Sequence, residues 1–330
     1  MATAATNPNI MRRALMVVVP WLMTAAAFAQ APSVGYPSQP IRLVVPYPPG
    51  GATDTLARTL AGKLQESWGQ TVIVDNKPGA SGVLGNDFVA KSPPDGYTVL
   101  LAITAIVQLP AMKAKLPYDV MKDLQPLAQV ASTNSVFLVP PSTPVGSLKE
   151  FIALAKAGPG KYNYGSYGVG TSSHIQGSLL NLQAGIDLTH VPYKGAAPLL
   201  QDLKGGQLAS AFMDMATARP HLDSFKALAV TGTQRNRTLP GVPTFAELGF
   251  QSFEPVGWFG LFMPAGVPAP VAKKFAAEAQ RILHLPDVVA RIEGLGMTAG
   301  DLSTEEFART VRSDAQVYAK IVKDANIQID

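Results

Sequence analysis

The chain has 330 residues, 27 Lys plus Arg against 23 Asp plus Glu, and no Cys. Its formal charge of +4 comes without basic clusters, which argues against nucleic acid as a partner. The lack of Cys removes thiolate catalysis and thiolate metal ligation, and a chain of this length can hold a core without disulfides.

Arg12-Arg13, the apolar run 14–27 and the small-x-small triplet Ala27-Phe28-Ala29 have the make-up of a secretory leader, residues 1–29. A membrane-spanning helix needs about 20 apolar residues, more than this run supplies. Cleavage after Ala29 removes two Arg and no acid, leaving 301 residues with a charge of +2.

Beyond the leader, short apolar runs alternate with helical patterns. The segment 41–46 is predicted as a strand, 53–68 as a helix with Leu56, Leu60 and Leu64 on one face, and 71–74 and 97–103 as strands. A second series starts near residue 135, with strands at 136–139, 162–166, 189–193, 208–213 and 227–231. Helices at 147–157, 172–182 and 196–203 separate the first four of them. The segment 258–263 is β-like, and long helices at 268–283 and 304–325 close the chain. Strands alternating with crossover helices imply an α/β class with parallel sheet. The two series read as two lobes, 33–133 plus 254–330 and 134–253. They are joined by extended hinge crossings at 135–141 and 254–264, each ending at Pro. A ligand cleft is expected between them.

Two strand–Gly loop–helix junctions carry the chemistry, one in each series. The first is Tyr47-Pro48-Pro49-Gly50-Gly51-Ala52-Thr53-Asp54; the second runs from Tyr164 through Ser166, Tyr167, Gly170, Thr171, Ser172 and Ser173 to His174. Each sets glycines at a tight turn and capping residue types at a helix start, where free N–H groups and the positive dipole end suit an anion. Two such junctions facing each other would clamp a carboxylate with few formal charges; taken singly, each is equally an ordinary capped turn. Asp214 ends an apolar strand and either faces the cleft or caps the next helix. Asp54 stands four residues before Arg58, the spacing of a helical ion pair, and is otherwise a hydrogen-bonding group at the cleft rim. Lys194 is the nearby cation of the second series. Nucleotide-loop and hydrolase-elbow patterns are absent. The four His lack metal-site spacing, so neither metal nor cofactor is expected.

The ordered series Val45-Pro46-Tyr47-Pro48-Pro49-Gly50-Gly51, Asn76-Lys77-Pro78-Gly79-Ala80, Asp95-Gly96-Tyr97-Thr98, Leu116-Pro117-Tyr118-Asp119, Gly170-Thr171-Ser172-Ser173-His174 and His190-Val191-Pro192-Tyr193-Lys194-Gly195 resembles the substrate receptors of tripartite tricarboxylate transporters, the Bug-like family. The likeness runs over essentially the whole chain after the leader. It implies a two-lobed, type II periplasmic-binding-protein fold and a periplasmic, non-enzymatic receptor that delivers a small carboxylate to transmembrane transporter subunits. It also implies that Tyr47 and Gly50, Gly51, Ala52, Thr53 and Asp54 form one pincer and Gly170 to His174 the other. Thr104 then lines the cleft, and Asp214 matches a position at the end of a strand in the second lobe. The apolar surroundings of Thr104 and the bulk of Tyr167 and Val169 lead us to expect a less polar carboxylate, aromatic acids included. Two other readings stand beside this one: a ligand sensor for a membrane histidine kinase, and an exported hydrolase using Ser172 or Ser173 with His174. Nothing in the sequence marks an oligomer interface, so a monomer is expected.

Overall fold

In the computed structural model, residues 1–2, 35–112, 115–253, 257–324 and 327 are described. All but the first two residues of the expected leader lie outside them. The chain divides after Tyr36, and the fold is that of residues 37–330.

Strand β1 (Ile41–Val45) is buried on both faces except at Arg42, as a central strand of a parallel sheet must be. Helix α1 (Ala52–Trp68) buries the stripe Leu56, Leu60 and Leu64 and stops at Gly69. That glycine takes a left-handed φ of 65° and returns its N–H to the Gln65 carbonyl. There follow β2 (Val72–Asn76), α2 (Val83–Ala90), β3 (Thr98–Ile103), α3 (Ala105–Met112), a short α4 (Val120–Asp123) capped by Asp119, and β4 (Leu124–Thr133). The next set is β5 (Ser135–Val139), α5 (Leu148–Ala157), β6 (Tyr162–Ser166), α6 (Ser172–Ala184), β7 (Leu188–Pro192), α7 (Ala196–Lys204), β8 (Ser210–Asp214), α8 (Met215–Ala218) and β9 (Lys226–Val230). Strand β10 (Gly257–Pro264), α9 (Ala269–Leu283), α10 (Pro286–Gly294), β11 (Thr298–Ala299) and α11 (Thr304–Asp324) complete the described elements.

These strands make two sheets, ordered β11-β4-β10-β3-β1-β2 and β7-β6-β8-β5-β9. The expected parallel sheet is present in each, with antiparallel strands added to it. Strands β1, β2 and β3 are parallel, as are β6, β7 and β8, but β10 runs antiparallel to β3 and β4, and β5 antiparallel to β8 and β9. The reversed strands β5 and β10 are those that begin just after each passage between sheets. A chain that leaves one sheet and enters another without a crossover helix is free to enter in the opposite sense.

The expected crossing segments are largely strand. Residues 135–139 form β5, buried throughout, and 257–264 form β10 in the interior of its sheet. The first passage narrows to Asn134. Its side-chain Nδ2 donates to the Thr231 carbonyl at 2.6 Å, while Thr231 Oγ1 accepts the Ser135 N–H at 2.8 Å. Residues 254–256 of the second passage lie outside the described residues. Strand β4 escaped the sequence reading because Pro126 interrupts it. Pro is tolerated there because β11 covers only Ala131 and Ser132, so Pro126 stands on an open edge.

Aromatic rings fill both cores. Phe137, Phe212, Phe245 and Phe253 pack in one lobe, and Trp258, Phe262 and Phe307 in the other. Gly177, in the middle of α6, lets the Tyr164 ring lie against the helix: a Cβ there would meet ring atoms at 2.0–2.5 Å. Gly177→Ala therefore overpacks a buried ring that cannot swing away. Despite the better helix propensity of Ala, the variant is expected to lose about 1–3 kcal/mol of stability in urea unfolding.

Candidate functional site

The first Gly-rich junction leaves β1 and enters α1. Gly50 takes φ 87°, a left-handed conformation costly for other residues, and Gly51 stands at the N-cap with no side chain capping the helix. Asp54, buried at 4% exposure, is turned back into its own loop. Its Oδ2 accepts the Gly50 N–H at 3.0 Å and Arg58 Nε at 2.9 Å, and its Oδ1 accepts Asn76 Nδ2 at 3.1 Å. The same Asn76 amide donates to the Tyr47 carbonyl at 3.1 Å, tying the end of β2 to the loop. Burial pushes the Asp54 carboxyl up, but hydrogen bonds from Arg58, Gly50 and Asn76 outweigh it and hold the group below the usual carboxylate range. Asp54 thus shapes the loop, and its oxygens are already engaged there.

The second junction joins β6 to α6 and is braced in the same inward way. Gly168 N–H donates to Ser166 Oγ at 3.1 Å, Tyr167 N–H to Ser173 Oγ at 3.1 Å, and Gly170 N–H to His174 Nδ1 at 3.3 Å. Thr171 Oγ1 donates to the Gly168 carbonyl at 2.7 Å. Gly170, like Gly50, is left-handed at φ 85°, and α6, like α1, has no side chain on its N-cap hydrogen bonds. The helices that start at Asp119, Ser147 and Asp214 are side-chain capped, whereas α2, α7, α9 and α10 share the uncapped start of α1 and α6. The loops before α1 and α6 hold the left-handed Gly50 and Gly170.

Behind the second loop His190 stacks between His174 and Tyr164, with ring centroids 4.2 and 4.9 Å away, and its Nε2 meets Ser166 Oγ at 2.6 Å. Burial lowers both imidazoles, His190 to about 4 with help from the neighbouring His174. Near neutral pH the stack is uncharged and adds no cation to the site. His174 Nδ1 is taken by Gly170 and the Ser173 hydroxyl by Tyr167 N–H and Thr171, so the two are not paired as base and nucleophile.

Ser81 and Gln108 bring the two lobes together; the sequence reading missed both. Ser81 Oγ donates to the Val169 carbonyl in the second loop at 2.8 Å, and the Ser81 carbonyl accepts the Tyr47 hydroxyl at 3.5 Å. Tyr47, Ser81 and Val169 therefore connect one Gly-rich junction to the other. Ala80 and Ser81 both hold positive φ, 48° and 56°, conformations that non-glycine residues seldom keep away from functional sites. Gln108 Nε2 donates to Ser172 Oγ at 2.8 Å, and the Tyr318 hydroxyl lies against both side chains. The one sequence signal was adjacency: Ser81 follows the Asn76–Ala80 motif and Gln108 ends the apolar run after Thr104.

The other expected residues make contacts of their own. Thr104 is 2% exposed, and its hydroxyl oxygen accepts the Trp258 N–H at 2.7 Å, pinning the end of β3 to β10. Ala102, Ala105, Ile106 and Val107 beside it are core residues, so the apolar run reports packing and says nothing of ligand polarity. Of the two roles left open for Asp214, the structure displays the cap: Oδ1 and Oδ2 accept Thr217 N–H and Oγ1, each at 2.9 Å. Tyr167 turns its hydroxyl to the Asp214 N–H at 3.2 Å. Lys194 is exposed before α7 and makes no ion pair among the described residues.

Two α/β lobes with apposed Gly-rich helix starts define the periplasmic-binding-protein class, and solved structures of that class superpose closely. Residues 56–327 match the tripartite tricarboxylate transporter family receptor, and the chain belongs to that family. It is 35% identical over 317 residues to the UPF0065 protein in the tcbD-tcbE intergenic region of Pseudomonas sp. (strain P51), covering 95% of this chain and 94% of that one. Rpa4515 of R. palustris, solved with adipate, matches with TM-score 0.84 and 31% identity over 89% of this chain and 99% of that one. MatC from Rhodopseudomonas palustris, solved with bound malate, matches with TM-score 0.81 and 30% identity over 87% and 99%.

Two predictions follow from the bracing. Asp54→Ala removes a charge-assisted acceptor of three hydrogen bonds and is expected to cost about 1.5–3 kcal/mol in chemical unfolding at neutral pH. His174 and His190 have folded values below the unfolded value of about 6.5, so their contribution is complete above that pH and is lost as pH falls towards 4. Melting temperature should drop across this window with a slope of roughly two protons, and His190→Phe should flatten it.

Proposed function

We propose that this protein is a periplasmic receptor, exported with removal of the leader, that holds a small carboxylate between its lobes and delivers it to transporter subunits in the inner membrane. Its lobes exchange chain near residues 134 and 254. The observation carrying this reading is the pair of helix starts without side-chain caps, α1 after Gly51 and α6 after Thr171, on loops linked through Tyr47, Ser81 and Val169. Main-chain N–H groups at Ala52 and Thr53 on one side and Ser172, Ser173 and His174 on the other supply the donors, and the aligned helix dipoles supply the positive potential. Tyr47, Gly50 and Gly51, with Ser166, Tyr167, Gly170 and Thr171, shape the walls. Asp54, Thr104 and Asp214 act from behind as braces, and Lys194 contributes at most a distant positive field. The inward-turned hydroxyl of Ser173 and ring of His174 favour binding without turnover.

The test is a thermal-shift series with mono-, di- and tricarboxylates. A ligand that binds only the folded state adds about 2.7 kcal/mol at 100 times its Kd. Ala52 is partly exposed at the first position of α1. Ala52→Glu should leave the ligand-free protein as stable, because an acidic residue suits a helix N-terminus. It should abolish the shift, because its carboxylate repels and displaces the ligand's. A shift that survives Ala52→Glu unchanged, or no shift with any acid, would reject the reading.

A further inference from the structure

The interlobe seam holds an imbalance that the carboxylate clamp leaves unused. Gln108 on α3 is 0% exposed and Gln176 on α6 is 7% exposed, and the Oε1 atom of each is buried with no hydrogen-bond donor among the described residues. Asn86 Oδ1 and Gln125 Nε2, also without partners, sit on α2 and β4. Gln108 and Gln176, by contrast, share one place. Gln108 Nε2 donates to Ser172 Oγ across the lobes, so its Oε1 lies two bonds from that contact. Gln176 stands one helical turn after Ser172, on the face of α6 that Ser172 turns to α3. Both amides therefore flank the first turn of α6, where the proposed carboxylate would dock.

A buried carbonyl-type oxygen without a donor costs stability, and native proteins carry few of them. Two at one ligand-accepting seam mark a place where the partner is brought in from outside. We propose that Gln108 and Gln176 form a second subsite that takes a hydroxyl or amino group on the carbon chain next to the bound carboxylate, so that the receptor selects hydroxy or amino acids over their unsubstituted counterparts. This inference rests on the carboxylate reading above. The subsite works by attraction: both oxygens are already buried and unpaired in the ligand-free protein, so a ligand hydroxyl or amino group supplies a hydrogen bond that the unsubstituted acid cannot.

Binding of two matched pairs tests it by calorimetry: succinate against malate, and 3-phenylpropionate against 3-phenyllactate. In at least one pair the hydroxy acid should bind about tenfold more tightly, which corresponds to roughly 1.4 kcal/mol. Gln176→Leu breaks no hydrogen bond among the described residues, so the ligand-free variant should melt at the same temperature or higher. In it the preference should shrink, with affinity for the unsubstituted acid kept. Gln108→Leu should shrink it too, with an added loss for both acids because Ser172 is released. Equal binding within both pairs, or a loss in Gln176→Leu that is the same for both members, would overturn the subsite while leaving the receptor reading intact. Failure of all four acids to bind would overturn the carboxylate reading and the subsite with it.

Discussion

The first turn of a helix carries N–H groups that its own carbonyls cannot reach, and most of what surrounds α1 and α6 keeps this chain's side chains off them. Asp54 would be a natural cap, yet it is turned back to Gly50 and held there by Arg58 and Asn76. Thr171, Ser173 and His174 are equally suited to capping, and each is spent on Gly168, Tyr167 or Gly170 in the preceding loop. Left-handed glycines at 50 and 170 make those inward turns cheap. The helix-start donors are left without side-chain acceptors because the polar residues nearest to them already have partners.

Hydrogen bonds between the lobes include Ser81 to Val169 and Gln108 to Ser172, both neutral and each worth a net of about 0.5–1.5 kcal/mol. They also include the charged one from Arg219 Nη1 to the Glu293 carbonyl. Against them stands the positive φ of Ala80 and Ser81, a cost of order 1–3 kcal/mol per residue. The ion pairs of the described residues lie within lobes or on helix surfaces.

The histidines illustrate how a residue type can mislead. Next to two serines at a helix start, His174 invites a catalytic reading. Its geometry assigns it to a ring stack with His190 and Tyr164 that supports the second loop. Burial lowers both imidazoles, so they fill space and accept hydrogen bonds without placing a charge behind the site. The cost is exposure to acid, since protonation of either ring works against the fold.

Local chemistry was legible in the sequence wherever the signal is short-range. The stripe Leu56, Leu60 and Leu64, the β-branched run of β1, and Gly50 and Gly170 before helix starts depend on neighbours within a few residues. From them came the α/β class, the two series of elements and the two loops. What lay outside reach depends on partners distant in the chain. Pro126 hides β4 until β11 is seen to leave that edge open. The sense of β5 and β10 is set by which sheet receives them. Thr104 reads as a cleft residue until Trp258, 154 positions away, claims its hydroxyl. Ser81, Gln108 and Gln176 carry no motif; they acquire a role only because one lobe is laid against the other. Periodicity and turn chemistry determined which elements exist and where the Gly-rich helix starts lie, whereas side-chain direction across the seam was decided by tertiary packing, because hydrogen bonds between residues 64 or 88 positions apart leave no local trace.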